Sequence, residues 1–139
     1  YAYTLGKTQE LLRLVGGAGL GVMLHPQAWQ LTRVYEQLGE KMPPYAEFDA
    51  RTHPGHVVIT PPGAPLLDWI NPKRTAAVTG WALDPATKYR YGCDAMFPLS
   101  DHADFNELLA FVERVQPRAV YTVHGFAREF AATLRARGV

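Results

Sequence analysis

Two histidines stand where an apolar segment gives way to a predicted helix. His102 follows the segment Ala95–Leu99, and His124 follows the β-branched segment Ala119–Val123. Imidazole binds zinc when neutral and transfers protons near neutral pH. Functional groups in open α/β sheets gather at the carboxyl ends of strands. The positions therefore favour two histidines that converge on one metal-dependent or acid–base site.

A simpler interpretation stays open for both histidines, because a polar side chain at a strand end often only hydrogen-bonds to its own loop. Gly125 leaves room beside His124 for a ligand or metal to approach the backbone. Asp104 and Glu107 have the spacing of a capping box, so Asp104 is interpreted as a helix N-cap rather than a ligand. Two histidines and a few acids are too few for a complete dinuclear zinc site.

Hydrophobic periodicity gives the elements that must position these residues. It predicts helices at 5–15, 26–38, 104–115 and 126–134, and strands at 19–25, 56–60, 75–83, 88–91, 95–99 and 119–123. Strands alternate with helices over most of the length, which predicts an α/β fold with a largely parallel sheet. The stretch from Leu83 to Ser100 departs from this alternation, so a hairpin is expected there.

Composition sets the class of protein. The 139 residues are 47% hydrophobic and 19% charged, as in one globular domain or a compact piece of a larger enzyme. No apolar run approaches the roughly 20 residues that span a bilayer, so no membrane partner is expected. A single cysteine, Cys93, suits a reducing cytoplasm. The chain opens on Tyr1 without a signal-peptide pattern, and we expect a fragment of a cytoplasmic protein.

Four segments carry a family resemblance. Phe97–Phe105 resembles the Ser-x-His segment called motif B of β-CASP nucleases, and Val120–Gly125 resembles their His-Gly motif C. Tyr3–Leu12 resembles the segment that opens the β-CASP insertion, and Thr79–Trp81 resembles the Ser/Thr-Gly-Trp turn before motif B. The segments occur in the family's order. The chain thus resembles the C-terminal part of a β-CASP nuclease of the metallo-β-lactamase superfamily.

The resemblance implies a domain organisation. Residues 1–97 would form the β-CASP domain, a parallel sheet with flanking helices. Residues 98–139 would supply the C-terminal strands and helices of a metallo-β-lactamase αββα domain, including its RNA-specificity motif. The family's His-x-His-x-Asp-His motif and its other N-terminal metal motifs do not occur in these 139 residues. We therefore expect that the N-terminal metallo-β-lactamase part is absent and that the chain alone is inactive.

The resemblance also implies a mechanism, in which two zinc ions activate water and a phosphodiester is hydrolysed. His124 would be a zinc ligand. His102 would be the catalytic residue that donates a proton to the leaving oxygen or binds the phosphate. Ser100 would hydrogen-bond a phosphate oxygen, and Lys7 and Gly125 would lie near the substrate.

The nature of the substrate and partners stays open. A histidine in motif C is typical of RNA-directed members, whereas the compact insertion and His124-Gly-Phe126 resemble bacterial exonucleases associated with DNA ligase. RNA and single-stranded DNA are both expected substrates. Expected partners are a second copy in a homodimer and a DNA ligase/helicase or RNA-processing complex. The alternative function is an inactive scaffold in such a complex. Nucleotide binding is disfavoured, because Leu5-Gly-Lys-Thr8 lacks the upstream glycine of a phosphate-binding loop.

Overall fold

Small parallel sheets and helices make up the fold in the computed structural model, which describes residues 1–138. Val139, the last residue of the predicted 98–139 segment, lies outside the described residues. The chain divides into two compact units, Tyr1–Asp101 (unit 1) and the residues from His102 onward (unit 2). No helix within residues 1–138 is both long enough and apolar enough to cross a membrane.

Unit 1 contains most of the regular structure. In chain order its elements are α1 (Lys7–Gly16), β1 (Val22–Leu24), α2 (Pro26–Gln37), β2 (Ala46–Glu47), β3 (Val57–Ile59), a 3-10 helix (Pro65–Trp69), β4 (Ala76–Val78), a second 3-10 helix (Gly80–Leu83), α3 (Pro85–Tyr91) and β5 (Ala95–Phe97). Unit 2 contains α4 (Phe105–Val115) and α5 (Ala127–Ala136). The expected mixture of helices with parallel strands is therefore confirmed.

The first sheet is built around β1, which pairs in parallel with β2 on one side and β3 on the other. All three residues of β1 are buried, as expected of an apolar central strand. Gly21 precedes β1, and a Cβ atom there would lie 2.7 Å from the His56 ring, so only glycine permits this approach. α2 follows directly, with Pro26 in its first turn and His25 Nδ1 accepting the Gln27 N–H at 3.2 Å.

In the second sheet, β4 and β5 pair in parallel and α3 connects them. The hairpin expected between Leu83 and Ser100 is therefore wrong. Residues 88–91 were expected to be a strand, yet they form the last turns of α3. Asp84 caps this helix by accepting the Ala86 N–H at 3.0 Å. Gly92 ends it in the left-handed conformation, with φ 56°. The strand expected at 75–83 is correspondingly short, since a 3-10 helix begins at Gly80.

Unit 2 packs α4 against α5. Leu109, Val112 and Leu134 form its buried cluster, with Val120 and Phe130 packed against them. α4 ends at Gln116, which is left-handed with φ 48°.

The strand expected at 119–123 is wrong, because no strand is assigned to unit 2 within the described residues. A strand requires a neighbouring backbone, and the apolar pattern alone cannot supply one. Tyr121 is 91% exposed and Val123 is 74% exposed. Thr122 instead makes a local contact, donating its hydroxyl to the Ala127 carbonyl at 2.9 Å.

Candidate functional site

Lys7 begins α1 and holds the loop that follows β5. Its Nζ atom donates to the Leu99 carbonyl at 3.0 Å and lies 3.0 Å from Asp101 Oδ1. Lys7 is only 3% exposed, whereas the Asp101 side chain is 41% exposed. The ammonium therefore has internal partners, and its charge fixes the segment that contains Ser100. Sequence reasoning singled out Lys7 and Ser100 but missed Asp101, whose only signal was its place beside His102.

Ser100 lies against the turn that follows β4. The Leu99 N–H donates to the Thr79 carbonyl at 3.4 Å, and the Thr79 N–H donates to the Phe97 carbonyl at 3.1 Å. A Cβ atom on Gly80 would lie 3.2 Å from both Cβ and Oγ of Ser100. Residues 98–101, which follow β5, are called the Ser100 loop. The carboxyl ends of two parallel strands thus place the Thr79–Gly80 turn and the Ser100 loop side by side.

Gly6, the N-cap residue of α1, lies next to Asp101 at the end of the same loop. Its φ of 77° is in the left-handed region, and a Cβ atom there would lie 3.2 Å from Asp101 Oδ2. Glycine therefore lets the Asp101 carboxylate approach the amino end of α1, where the helix dipole favours negative charge. Unit 1 thus brings Lys7 and the Ser100 loop together at the start of one helix.

His102 opens unit 2 as an exposed residue in the bend before α4. Two residues later the capping box is complete: Asp104 Oδ1 accepts the Glu107 N–H at 2.8 Å, and Glu107 Oε2 accepts the Asp104 N–H at 2.8 Å. The interpretation of Asp104 as an N-cap is confirmed. The cap fixes the start of the helix two residues after His102.

His124 and Gly125 form a left-handed turn before α5, with φ 65° and 53°. The left-handed conformation disfavours a residue with a Cβ by roughly 1–2 kcal/mol, although histidine tolerates it better than most. His124 is exposed and borders a cavity of about 420 Å³ in unit 2. The cavity walls are mainly apolar and include Phe105, Leu108, Val120, Phe126 and Phe130. His124 therefore lies beside an apolar depression.

A zinc ion needs three or four nitrogen, sulfur or carboxylate ligands around one point. Within residues 1–138, no group of three or more histidine, cysteine, aspartate or glutamate side chains is arranged to hold a metal. The described residues therefore do not fit a complete zinc site by themselves. His124 can contribute at most one ligand of such a site.

Comparison with known proteins supports the resemblance. Residues 95–139 match the family model described as "Zn-dependent metallo-hydrolase RNA specificity domain". The chain is 58% identical, over 142 aligned positions, to a protein of Opitutus terrae named "Probable DNA ligase". That alignment covers 100% of this chain but only 14% of the relative, so the chain spans about one seventh of the relative's length. No solved structure matches the chain.

Proposed function

We propose, on the premise that residues 95–139 match the family of Zn-dependent metallo-hydrolase RNA specificity domains, that the chain serves a zinc-dependent nuclease. The reaction is hydrolysis of phosphodiester bonds in RNA or single-stranded DNA. Residues 1–97 act as the β-CASP domain, and residues 98–139 act as the C-terminal part of a metallo-β-lactamase domain. The observation that carries the proposal is the internal anchoring of the Ser100 loop.

The Ser100 loop is suited to phosphate recognition because it is held before any substrate binds. Lys7 fixes it through Leu99 and Asp101, and Gly80 leaves the space that the Ser100 side chain occupies. A preorganised hydroxyl loses little free energy to reorganisation when it donates to a phosphate oxygen. Lys7 therefore acts on the substrate through this loop, since its own ammonium is already paired.

His102 is the proposed catalytic residue. Its imidazole is exposed and lies two residues before Asp104, the N-cap of α4. It donates a proton to the leaving oxygen or binds the scissile phosphate, and general acid catalysis of this kind contributes roughly 10²–10⁴-fold in rate.

His124 is the proposed zinc ligand. It lies in a left-handed turn just before α5, and Gly125 leaves the adjacent backbone open. The remaining ligands of two zinc ions come from residues outside the described ones, because these supply no complete site. When bound, zinc supplies an activated water and offsets phosphate charge.

The choice between RNA and DNA has support on both sides. The family description names RNA, whereas the relative's name concerns DNA and describes a protein of which this chain spans 14%. Trp81 is 71% exposed and follows Gly80 directly, and an exposed indole can stack on a base of either single-stranded nucleic acid. A cytoplasmic complex with a ligase/helicase or RNA-processing proteins, and a homodimer, belong to the same proposal.

The test uses the full-length protein and three variants. Bound zinc is measured first, and matched 5′-labelled single-stranded RNA and DNA are then offered to each protein. His102→Ala removes the proposed acid. His124→Asn removes the imidazole while keeping a residue that tolerates the left-handed backbone. His53→Ala is the matched control, because His53 packs on Phe48 in a loop of unit 1.

Cleavage should fall by roughly 10²–10⁴-fold in His102→Ala with zinc retained. In His124→Asn, zinc and cleavage should fall together, and His53→Ala should match the wild type. The preferred substrate identifies the nucleic acid. A wild-type protein that binds no zinc and cleaves neither substrate would refute the proposed nuclease activity. The alternative function, an inactive scaffold of the same fold, would then be favoured.

A further inference from the structure

Three hydroxyl groups form a series of hydrogen bonds beside the turn that faces the Ser100 loop. Thr79 follows β4, Tyr91 is the last residue of α3, and Tyr3 lies before α1. The Trp81 N–H donates to Thr79 Oγ1 at 3.3 Å. The Tyr91 hydroxyl accepts from Thr79 and donates to Tyr3. Residues from three separate segments thus make one series, which is called the hydroxyl relay.

The backbone at both ends of the hydroxyl relay is fixed by hydrogen bonds. The Thr8 N–H and the Thr8 hydroxyl both donate to the Tyr3 carbonyl, at 3.1 and 2.7 Å, and Thr8 is completely buried. The Thr79 N–H donates to the Phe97 carbonyl, and the Thr79 carbonyl accepts the Leu99 N–H. The positions of Tyr3 and Thr79 are therefore set by the fold itself.

The order of the donors places the Tyr3 hydroxyl at the end of the relay. Thr79 donates to Tyr91 and Tyr91 donates to Tyr3, and each hydroxyl has one proton to donate. Hydrogen bonds in series polarise one another, so the last O–H becomes a stronger donor. Thr79 is 6% exposed, whereas Tyr3 is 60% exposed. The relay therefore runs from the interior to an exposed tyrosine.

The Tyr91 phenol keeps its proton at neutral pH. Burial raises the pKa of Tyr91 above the ordinary value of 10.0, and the hydrogen bond to Tyr3 acts in the same direction. These two effects outweigh the hydrogen bond from Thr79 and the charge of Arg90, which act in the opposite direction. The direction of donation along the relay is therefore maintained at neutral pH.

The hydroxyl relay and the Ser100 loop meet at Gly80. A Cβ atom on Gly80 would lie 3.2 Å from Ser100 Oγ, and Thr79 directly precedes Gly80 in the sequence. A nucleic acid strand has a phosphate after every nucleotide, so a strand with one phosphate at Ser100 has another phosphate close by. A charged phosphate oxygen accepts a stronger hydrogen bond than a neutral group does. A neighbouring phosphate is therefore the acceptor that best matches the Tyr3 donor.

We propose that the Tyr3 hydroxyl binds a second phosphate of the substrate strand, next to the phosphate at Ser100. Tyr91 and Thr79 are positioning residues, which act on the substrate through Tyr3. This inference rests on the proposed function, because it requires a nucleic acid strand at the Ser100 loop. A contact to phosphate is independent of the base and of the sugar, so it serves RNA and single-stranded DNA alike.

The test measures binding in the full-length protein with His102→Ala, so that cleavage does not consume the probe. Fluorescence anisotropy gives the Kd for oligonucleotides of RNA or DNA, whichever binds more tightly. One series replaces a single phosphate by an uncharged methylphosphonate, one linkage at a time, with a 2′-deoxy nucleotide before it. Tyr3→Phe and Tyr91→Phe each remove one hydroxyl of the relay. Tyr89→Phe is the matched control, because Tyr89 also lies on α3 and is 87% exposed.

Tyr3→Phe should weaken binding of the all-phosphate oligonucleotide about tenfold, because it removes a hydrogen bond to a charged group. Tyr91→Phe should weaken binding less, and Tyr89→Phe should not weaken it. At one methylphosphonate position, Tyr3→Phe should cause no further loss, which identifies the phosphate that Tyr3 binds.

Unchanged binding by Tyr3→Phe would overturn the proposal. An equal loss at every methylphosphonate position would also overturn it, because Tyr3 would then only support the turn. If the wild type cleaves neither nucleic acid but the loss depends on the methylphosphonate position as expected, the nuclease activity is refuted and the phosphate contact of Tyr3 is supported.

Discussion

Replacement of Lys7 by methionine tests the anchoring of the Ser100 loop most directly, because methionine keeps the apolar stem and removes the charge. A hydrogen bond to a charged group contributes about 1.5–3 kcal/mol, and Lys7 makes one to the Leu99 carbonyl and one to Asp101. The second counts for less, since the Asp101 side chain is 41% exposed and water replaces the lost ammonium. Methionine also removes the cost of burying a charge. The expected net loss of unfolding free energy is about 2 kcal/mol.

Urea unfolding of the wild type, Lys7→Met and Lys41→Met measures this loss. Lys41 is exposed, so its variant should unfold at the wild-type midpoint. Amide exchange at Leu99 and Ser100 should accelerate in Lys7→Met alone, because the loop loses its anchor. A Lys7→Met protein as stable as the wild type, with unchanged exchange in the loop, would refute the reasoning that the buried ammonium holds it.

Three further outcomes follow from single contacts. Thr75 donates its N–H and hydroxyl to Asp94 Oδ2, which holds the pKa of Asp94 below its ordinary 3.8. The contribution of Asp94 to stability is thus present above pH 3.8 and lost as the pH falls through the folded-state pKa. When stability is measured by urea unfolding over a range of pH, Asp94→Asn should therefore show a smaller loss of stability on the acid side than the wild type. Asp104→Ala should cost about 1 kcal/mol in the same assay, because it removes the cap of α4. Gly80→Ala should displace Ser100 and lower cleavage by the full-length protein roughly tenfold at unchanged zinc content.

Local sequence signals predicted the elements that depend on local contacts. The capping box at Asp104 formed as its spacing indicated, and Pro26 stands in the first turn of α2 where a proline is favoured. Strands from the periodic pattern occur at β1 and β3, and their pairing is parallel as the alternation with helices indicated. The capping box and the first-turn proline need only neighbouring residues, so the local sequence contains their cause.

Errors occurred where a distant neighbour decides the structure. The segment 119–123 has the composition of a strand, but no strand pairs with it within the described residues. The error at 88–91 has a local cause instead: the tyrosines there favour strands, but the Asp84 cap and the Gly92 stop place these residues in a helix. The pairing of Lys7 with Asp101 joins residues far apart in sequence, and no spacing rule reaches that far. The roles proposed for the individual site residues stay predictions.

Because the backbone at His124 is left-handed, a mutation of this residue should affect stability and the proposed zinc binding in opposite directions. Glycine has no Cβ penalty at φ 65°, so His124→Gly should raise the yield of folded protein while it removes the imidazole. Gln116 is also left-handed, at φ 48°, but no chemical role is proposed for it. A mutational scan scored separately for abundance and for zinc content should therefore rank glycine high on both scales at Gln116. At His124 the two rankings should oppose each other, and selection for stability alone would remove the proposed zinc ligand.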